Sequence, residues 1–184
     1  MVHKKDNIEM EILLVLIKGE NHLREISRIL DVPHSTILRF LNNLLEENIL
    51  DYKFQGKNKV FFIKKNIQAK NYVFRSENYK LIQLFRKYPE LKVISEQILK
   101  KANKNLLIFF GSYAKFIAKK ESDIDIYIDS NNQKLKQEIE QINSMLSVKL
   151  GKFDNSSFLI KEIIKSHVVL KGVEDFYEKT KFFE

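Results

Sequence analysis

Two short groups of residues carry most of the chemistry that this sequence offers. The first is Gly111-Ser112, directly after the apolar run Asn105-Leu106-Leu107-Ile108-Phe109-Phe110. That run has the length and composition of a buried strand. Gly111 ends it, and Ser112 is placed to cap a helix, which leaves backbone N–H groups for an anion. The second group is Asp123-Ile124-Asp125, reached through a loop bearing Lys115, Lys119 and Lys120. From Ser122 to Asp129 polar and apolar residues alternate. A strand there sets Ile124, Ile126 and Ile128 on one face, with Asp123, Asp125 and Asp129 on the other. Two carboxylates so close repel by about 4 kcal/mol, taking a separation of ~4 Å and an effective dielectric of ~20. A divalent cation removes that penalty, and oxygen-only ligands suit Mg²⁺ or Mn²⁺. A carboxylate-held Mg²⁺ beside an anion-binding loop is a recurrent way to hold a nucleoside triphosphate. Asp129, further along the face, reads as a surface acid.

The elements around these groups follow from hydrophobic spacing. Ile8, Ile12, Leu13, Leu16 and Ile17 recur at helical intervals, and Gly19 ends that helix. A second helix sets Leu23, Ile26, Ile29 and Leu30 on one face, and Asp31-Val32-Pro33 is a turn. Ser35 or Thr36 is positioned to cap a third helix that buries Ile37, Leu38, Leu41, Leu44 and Leu45. Ile49 to Phe54 and Lys59 to Ile63 read as strands about the loop Gln55-Gly56-Lys57-Asn58. Residues 65–76 read as a short polar connection, and residues 77–101 as one or two helices broken at Pro89. Beyond the Asp strand we expect a helix from Gln133 to Leu146 and a strand from Ser147 to Phe153. A helix from Phe158 to Ile164, a strand from His167 to Leu170 and a helix from Val173 to Phe183 complete the pattern. The fold class expected is α/β (α+β), a small mixed sheet with packed helices following a helical N-terminal unit.

Composition bounds what this arrangement can do. The 184 residues suffice for one ordinary domain or two small ones, and 44% of them are hydrophobic. There is no cysteine, which excludes disulfides and thiolate metal sites, and the four histidines lack zinc spacing. The longest apolar run, Ile12 to Ile17, is too short to span a bilayer, and the N-terminus lacks a signal-peptide pattern. A soluble, cytoplasmic protein with no membrane partner is expected. The net charge of +8 is uneven. Between Tyr52 and Ser76 stand seven basic residues (Lys53, Lys57, Lys59, Lys64, Lys65, Lys70, Arg75) and no acid. Interleaved with Phe54, Phe61, Phe62, Tyr72 and Phe74, this strip suits a phosphate backbone; a solubilising lysine-rich surface is the alternative.

Two family resemblances rest on these residues. Helix, helix, turn, helix, hairpin, with Leu23-Arg24-Glu25-Ile26-Ser27-Arg28-Ile29-Leu30 through Leu50, resembles the winged helix-turn-helix of prokaryotic regulators. There the third helix enters the major groove and the wing touches the backbone. The resemblance implies DNA contacts from His34, Ser35, Thr36, Arg39, Asn42 and Asn43, with Lys57 and Lys59 gripping phosphate. Such regulators are often dimers, so a homodimer is an expectation; protein docking is the other use of the fold. Gly111-Ser112, the gap from Tyr113 to Ser122 and Asp123-Ile124-Asp125 resemble the nucleotidyltransferase superfamily that includes DNA polymerase beta, in its minimal branch. Tyr113-Ala114-Lys115 and Ser122 fit that pattern, whereas Phe116 stands where a second glycine commonly sits.

The second resemblance implies Asp123 and Asp125 as metal ligands and catalytic residues, with Gly111, Ser112, Lys115 and Ser122 on the nucleotide. It implies Mg²⁺ (or Mn²⁺), an NTP substrate with ATP the first expectation, and transfer of a nucleoside monophosphate to an acceptor hydroxyl with loss of pyrophosphate. The family also sets a third carboxylate on the next strand. Alignment of Ser147-Val148-Lys149-Leu150-Gly151 brings Lys149 to that position, and the nearest acid is Asp154. Either Asp154 serves as the third catalytic carboxylate from a shifted register, or the site has lost it; Lys149 would then neutralise the two acids itself. The division expected is 1–65 winged helix-turn-helix, 66–76 linker and 77–184 nucleotidyltransferase-like domain. The alternatives are a DNA-binding transcriptional regulator with a degenerate or nucleotide-sensing transferase domain, or an antitoxin-like protein paired with a small helical toxin.

Overall fold

The computed structural model describes residues 7–184; residues 1–6 of the expected 1–65 segment lie outside the described residues. The chain forms two compact units: the second is Glu77–Phe182, and the first holds the residues up to Ser76 together with Phe183–Glu184.

In the first unit, α1 (Ile8–Leu16) starts at Asn7, whose side-chain oxygen accepts the Met10 N–H at 3.4 Å. A two-residue strand not anticipated from the sequence, β1 (Asn21–His22), leads into α2 (Leu23–Leu30). His22 caps α2, its Nδ1 accepting the Glu25 N–H at 3.1 Å. Asp31 ends that helix in the left-handed region (φ 50°), and the Ser27 hydroxyl donates to the Val32 carbonyl at 2.6 Å, fixing the turn. The next helix, α3 (His34–Glu46), begins earlier than a cap at Ser35 or Thr36 would place it, with Pro33 at its N-cap and no side-chain cap. The Pro33 carbonyl accepts from Thr36 and Ile37 N–H at 3.0 and 3.1 Å, so Ser35 and Thr36 are not caps. Then β2 (Leu50–Gln55) and β3 (Asn58–Ile63) pair antiparallel about a two-residue turn at Gly56-Lys57, with β1 on the far side of β3. Gly56 holds φ +61°, the left-handed conformation such a turn requires.

The buried residues of this unit include Ile12, Leu13 and Leu16 of α1, Ile26 and Leu30 of α2, and Ile37, Leu41 and Leu44 of α3. Two residues expected in the core are on the surface: Ile29 is 50% and Leu38 42% exposed. The reason is angular. The buried stripe of α3 runs through Ile37, Leu41 and Leu44, spacing i, i+4, i+7, and Leu38 lies about 100° further round.

Of residues 66–76, expected as a polar connection, all but Asn66 belong instead to helix α4 (Ile67–Lys87). The Asn66 side chain accepts the Ala69 N–H at 2.8 Å and so begins the helix; no glycine or proline interrupts it before Pro89. None of the described helices, the 21 residues of α4 included, is long and apolar enough to cross a membrane.

The second unit holds α5 (Glu90–Lys101), which Pro89 starts, and a four-stranded sheet. Its strands are β4 (Leu107–Phe109), β5 (Ile124–Asp129), β6 (Leu146–Gly151) and β7 (Val168–Lys171), in the order β6-β5-β4-β7. β4 runs antiparallel to β5 and β7, while β5 and β6 are parallel. Their crossover contains α7 (Gln133–Glu140), shorter than the expected helix to Leu146. Leu146 pairs with Ile124 in the sheet, and the Asn143 side chain turns the chain by accepting the Met145 N–H at 2.8 Å. The helices α8 (Phe158–Lys165) and α9 (Val173–Lys179) flank β7 in sequence. One face of the sheet, with Phe109, Ile124, Ile126, Ile128 and Val148, packs on Leu84, Leu91, Ile94, Leu135 and Ile139 from α4, α5 and α7. The other face of β5 is left to Asp125, Tyr127 and Asp129.

Candidate active site and helix-turn-helix surface

The Gly-Ser group and the Asp-x-Asp group meet because β4 and β5 are antiparallel neighbours. Phe109 pairs with Ile126, and one residue on, the Phe110 N–H donates to the Asp125 carbonyl at 3.1 Å. Gly111 follows at φ +67°, which only glycine adopts at little cost. A Cβ built on Gly111 would lie 2.2 Å from Asp125 Oδ2 and 3.1 Å from its Cγ. The Asp125 carboxylate therefore rests against the Gly111 backbone, in space that a side chain would fill.

From Gly111 to Ala114 the chain makes one helical turn, α6, with Phe110 at its N-cap. Ser112 is thus inside the turn rather than its cap. Tyr113 and Ala114 are buried, and Tyr113 meets Tyr88 edge-on with ring centroids 4.8 Å apart. Phe116 also has a left-handed backbone, φ +59°. A glycine would take that conformation without the penalty of about 1–2 kcal/mol met by other residues. This explains the one departure noted in the motif: the backbone is that of a glycine position, occupied by a phenylalanine packed on the core. The Lys87 ammonium donates to the Phe116 carbonyl and holds the turn. Ser122 closes the loop, its hydroxyl accepting the Lys119 N–H at 2.9 Å and its own N–H donating to the Lys119 carbonyl at 3.0 Å. Lys115 is exposed.

Asp123 is exposed just ahead of β5, and Asp125 is half-buried at its start. Burial pushes the Asp125 carboxyl up, and the charge of Asp123 adds to this. A hydrogen bond from Ser147 and the charge of Lys149, both on β6, act in the opposite direction without outweighing it. A carboxylate held in this way is short of positive charge, and a proton or a metal ion would supply it. Asp154 is not gathered with these two. It is exposed in the turn after β6, where its carboxylate accepts the Ser156 N–H at 2.9 Å and the Ser156 hydroxyl at 2.8 Å. Those bonds hold its carboxyl below the ordinary carboxylate value. Among the described residues no group of three or more His, Cys, Asp or Glu is placed to hold a metal ion. Asp129 serves structure: Oδ1 accepts the Phe153 N–H at 3.1 Å, and Oδ2 lies 3.2 Å from Lys179 Nζ.

Within the first unit, Ser35, Arg39 and Asn42 share one exposed stripe of α3, joined there by Leu38. His34 and Asn43 are exposed on either side of the stripe, and Thr36 is half-buried. Lys57 is exposed at the hairpin turn. Lys59 is exposed on β3, its ammonium 4.0 Å from the centroid of the Tyr52 ring. Phe54, across from Lys59, is 67% exposed.

One polar cluster escaped the sequence reading. Glu77 on α4 is fully buried; its Oε1 accepts from the Tyr177 hydroxyl at 3.0 Å and lies 3.3 Å from His167 Nε2. Lys80 Nζ stands 3.5 Å from Oε2. Burial would push this carboxyl up, but Lys80 and His167, with the bonds from His167 and Tyr177, outweigh it and hold the group at about 2. The sequence did carry a signal: Glu77 stands on the stripe of α4 that includes Ala69, Val73 and Leu84, all buried.

A helix-turn-helix with a β-hairpin wing, followed by a mixed sheet that brings a Gly-Ser turn against an Asp-x-Asp strand, defines a two-module protein of the nucleotidyltransferase class. Residues 79–175 match the family model for polymerase beta nucleotidyltransferases, which is more than half of the chain. The chain belongs to this family. Residues 7–52 match the model for bacterial regulatory proteins of the arsR family. Neither curated proteins nor solved structures provided a significant match.

Proposed function

We propose that the second unit binds a nucleoside triphosphate, ATP foremost, with one Mg²⁺ or Mn²⁺, and transfers the nucleoside monophosphate to an acceptor hydroxyl. The observation that carries this reading is the Asp125 carboxylate lying against Gly111, which joins the two halves of the motif. The donor set fits one hard divalent ion: two carboxylates a residue apart, one of them half-buried and short of positive charge. It does not fit a second, because among the described residues no third acid joins them. Asp123 and Asp125 would hold the ion, which when bound neutralises charge on the phosphate oxygens. Gly111 lets the Asp125 carboxylate lie against the turn, Ser112 would meet the phosphates beside it, and Lys115 adds positive charge nearby. Catalysis of this type is positioning and charge neutralisation, so it needs no Ser/His/Asp constellation. Asp154, engaged by Ser156, has no part in the pocket we propose.

Incubation with each labelled nucleoside triphosphate and Mn²⁺ or Mg²⁺ is expected to show binding. Asp123→Asn and Asp125→Asn are expected to weaken it by about tenfold or more, since each removes a charged ligand. Two variants that bind metal and nucleotide like the parent sink the assignment. A second reading, a regulator that binds the nucleotide without transferring it, is favoured by Lys149 standing where an acid would complete a two-metal site. Binding without pyrophosphate release on any acceptor selects that reading.

We further propose that the first unit binds DNA through the exposed stripe of α3, with Lys57 and Lys59 of the wing on phosphate. Arg39→Ala combined with Lys57→Ala is expected to lower DNA affinity by about 1–3 kcal/mol for the lost base contact, and to reduce the salt slope by about 1 for the lost phosphate contact. Unchanged retention on DNA would redirect this unit towards protein docking.

A further inference from the structure

A lysine shares the sheet face that carries the acids. In the parallel pair β5/β6, Asp125 stands beside Ser147 and Tyr127 beside Lys149. Side chains of directly paired residues point to the same side, so Asp125, Ser147 and Lys149 face one way, while Ile126 and Val148 turn into the core. Lys149 is exposed, and no carboxylate lies within ion-pair distance of it among the described residues. Its charge nonetheless reaches Asp125 and opposes the effect of burial there. An ammonium on this face repels a second metal ion and attracts a phosphate oxygen. This sheet face is therefore mixed: acids and a hydroxyl at the end next to the Gly111 turn, and a cation two residues along.

We infer that Lys149 is the second cation of this site: it binds a triphosphate oxygen directly and limits the pocket to one divalent ion. The inference rests on the nucleotide-binding reading above and deepens it. Lys149 acts as a positioning charge on the phosphates, and no bond forms or breaks on it.

The test uses the full chain with ATP and Mn²⁺, counting bound ions by electron paramagnetic resonance and measuring ATP affinity by calorimetry. The parent is expected to hold one Mn²⁺ per chain. Lys149→Ala is expected to lose about tenfold in ATP affinity, the size of one charge-assisted contact, while its Mn²⁺ affinity without nucleotide rises. Lys149→Arg retains the ATP affinity. Lys149→Asp gains a second Mn²⁺, which a merely structural lysine would not produce. Two ions in the parent, or Lys149→Ala with the parent's ATP affinity, overturns the inference and leaves nucleotide binding standing. A parent that binds no triphosphate at all overturns both. Circular dichroism of each variant confirms the fold before either conclusion is drawn.

Discussion

Glu77→Ala is expected to destabilise the protein by about 3–5 kcal/mol, the cost of leaving buried partners without their counter-charge. His167 and Lys80 would lose the carboxylate they surround, and the Tyr177 hydroxyl would lose its acceptor. Urea denaturation of the parent and variant measures the difference, with Glu77→Gln as the control that keeps the shape and one hydrogen-bond acceptor. The acid limb of stability follows from the same group. Its folded value of about 2 lies below the unfolded one, so its contribution is complete above the ordinary carboxylate range. It is lost as pH falls towards 2, and Glu77→Ala should show a flatter acid limb than the parent. A variant as stable as the parent at neutral pH would mean that the ion cluster is energetically idle.

Gly111→Ala is expected to damage both fold and pocket. The left-handed backbone alone costs about 1–3 kcal/mol for a residue with a Cβ. The new methyl would also lie 2.2 Å from Asp125 Oδ2, so the carboxylate must swing away from the turn. Metal and nucleotide binding should fall with stability. Asp125→Ala in the same chain removes the clash and should recover part of the lost stability, though not the binding. That non-additivity is the signature of direct contact. If Gly111→Ala binds Mn²⁺ and ATP like the parent, the turn does not position the carboxylate.

What the sequence revealed and what it concealed divide along the range of the interactions. Gly111 after an apolar run and the alternation through Asp129 are local patterns, so both strands and the turn between them were legible. Pro33 and Pro89 likewise announced their breaks. The start of α4 was hidden by its polar composition, although Asn66, Ala69 and Val73 already spell a cap and a buried stripe. Leu38 is apolar yet lies off the buried stripe of α3, so its angle on the helix and not its hydrophobicity sets its exposure. Two partners of Glu77, His167 and Tyr177, stand 90 and 100 residues away in the chain, and no spacing rule reaches that far. The pairing of β5 with β6 is equally non-local. Only that register shows Lys149 on the face of Asp125, and Asp154 engaged by Ser156 in the turn beyond the strand.

The central claim is that Gly111, Ser112, Asp123 and Asp125 form one nucleotide–cation pocket. A crystal soaked with Mn²⁺ and ATP, read by anomalous scattering, tests it most directly. The account predicts a single manganese peak held by Asp123 and Asp125, with the triphosphate against the Gly111–Ser112 turn and an oxygen on Lys149. Manganese and nucleotide both absent from that turn, or bound elsewhere on the chain, would contradict it.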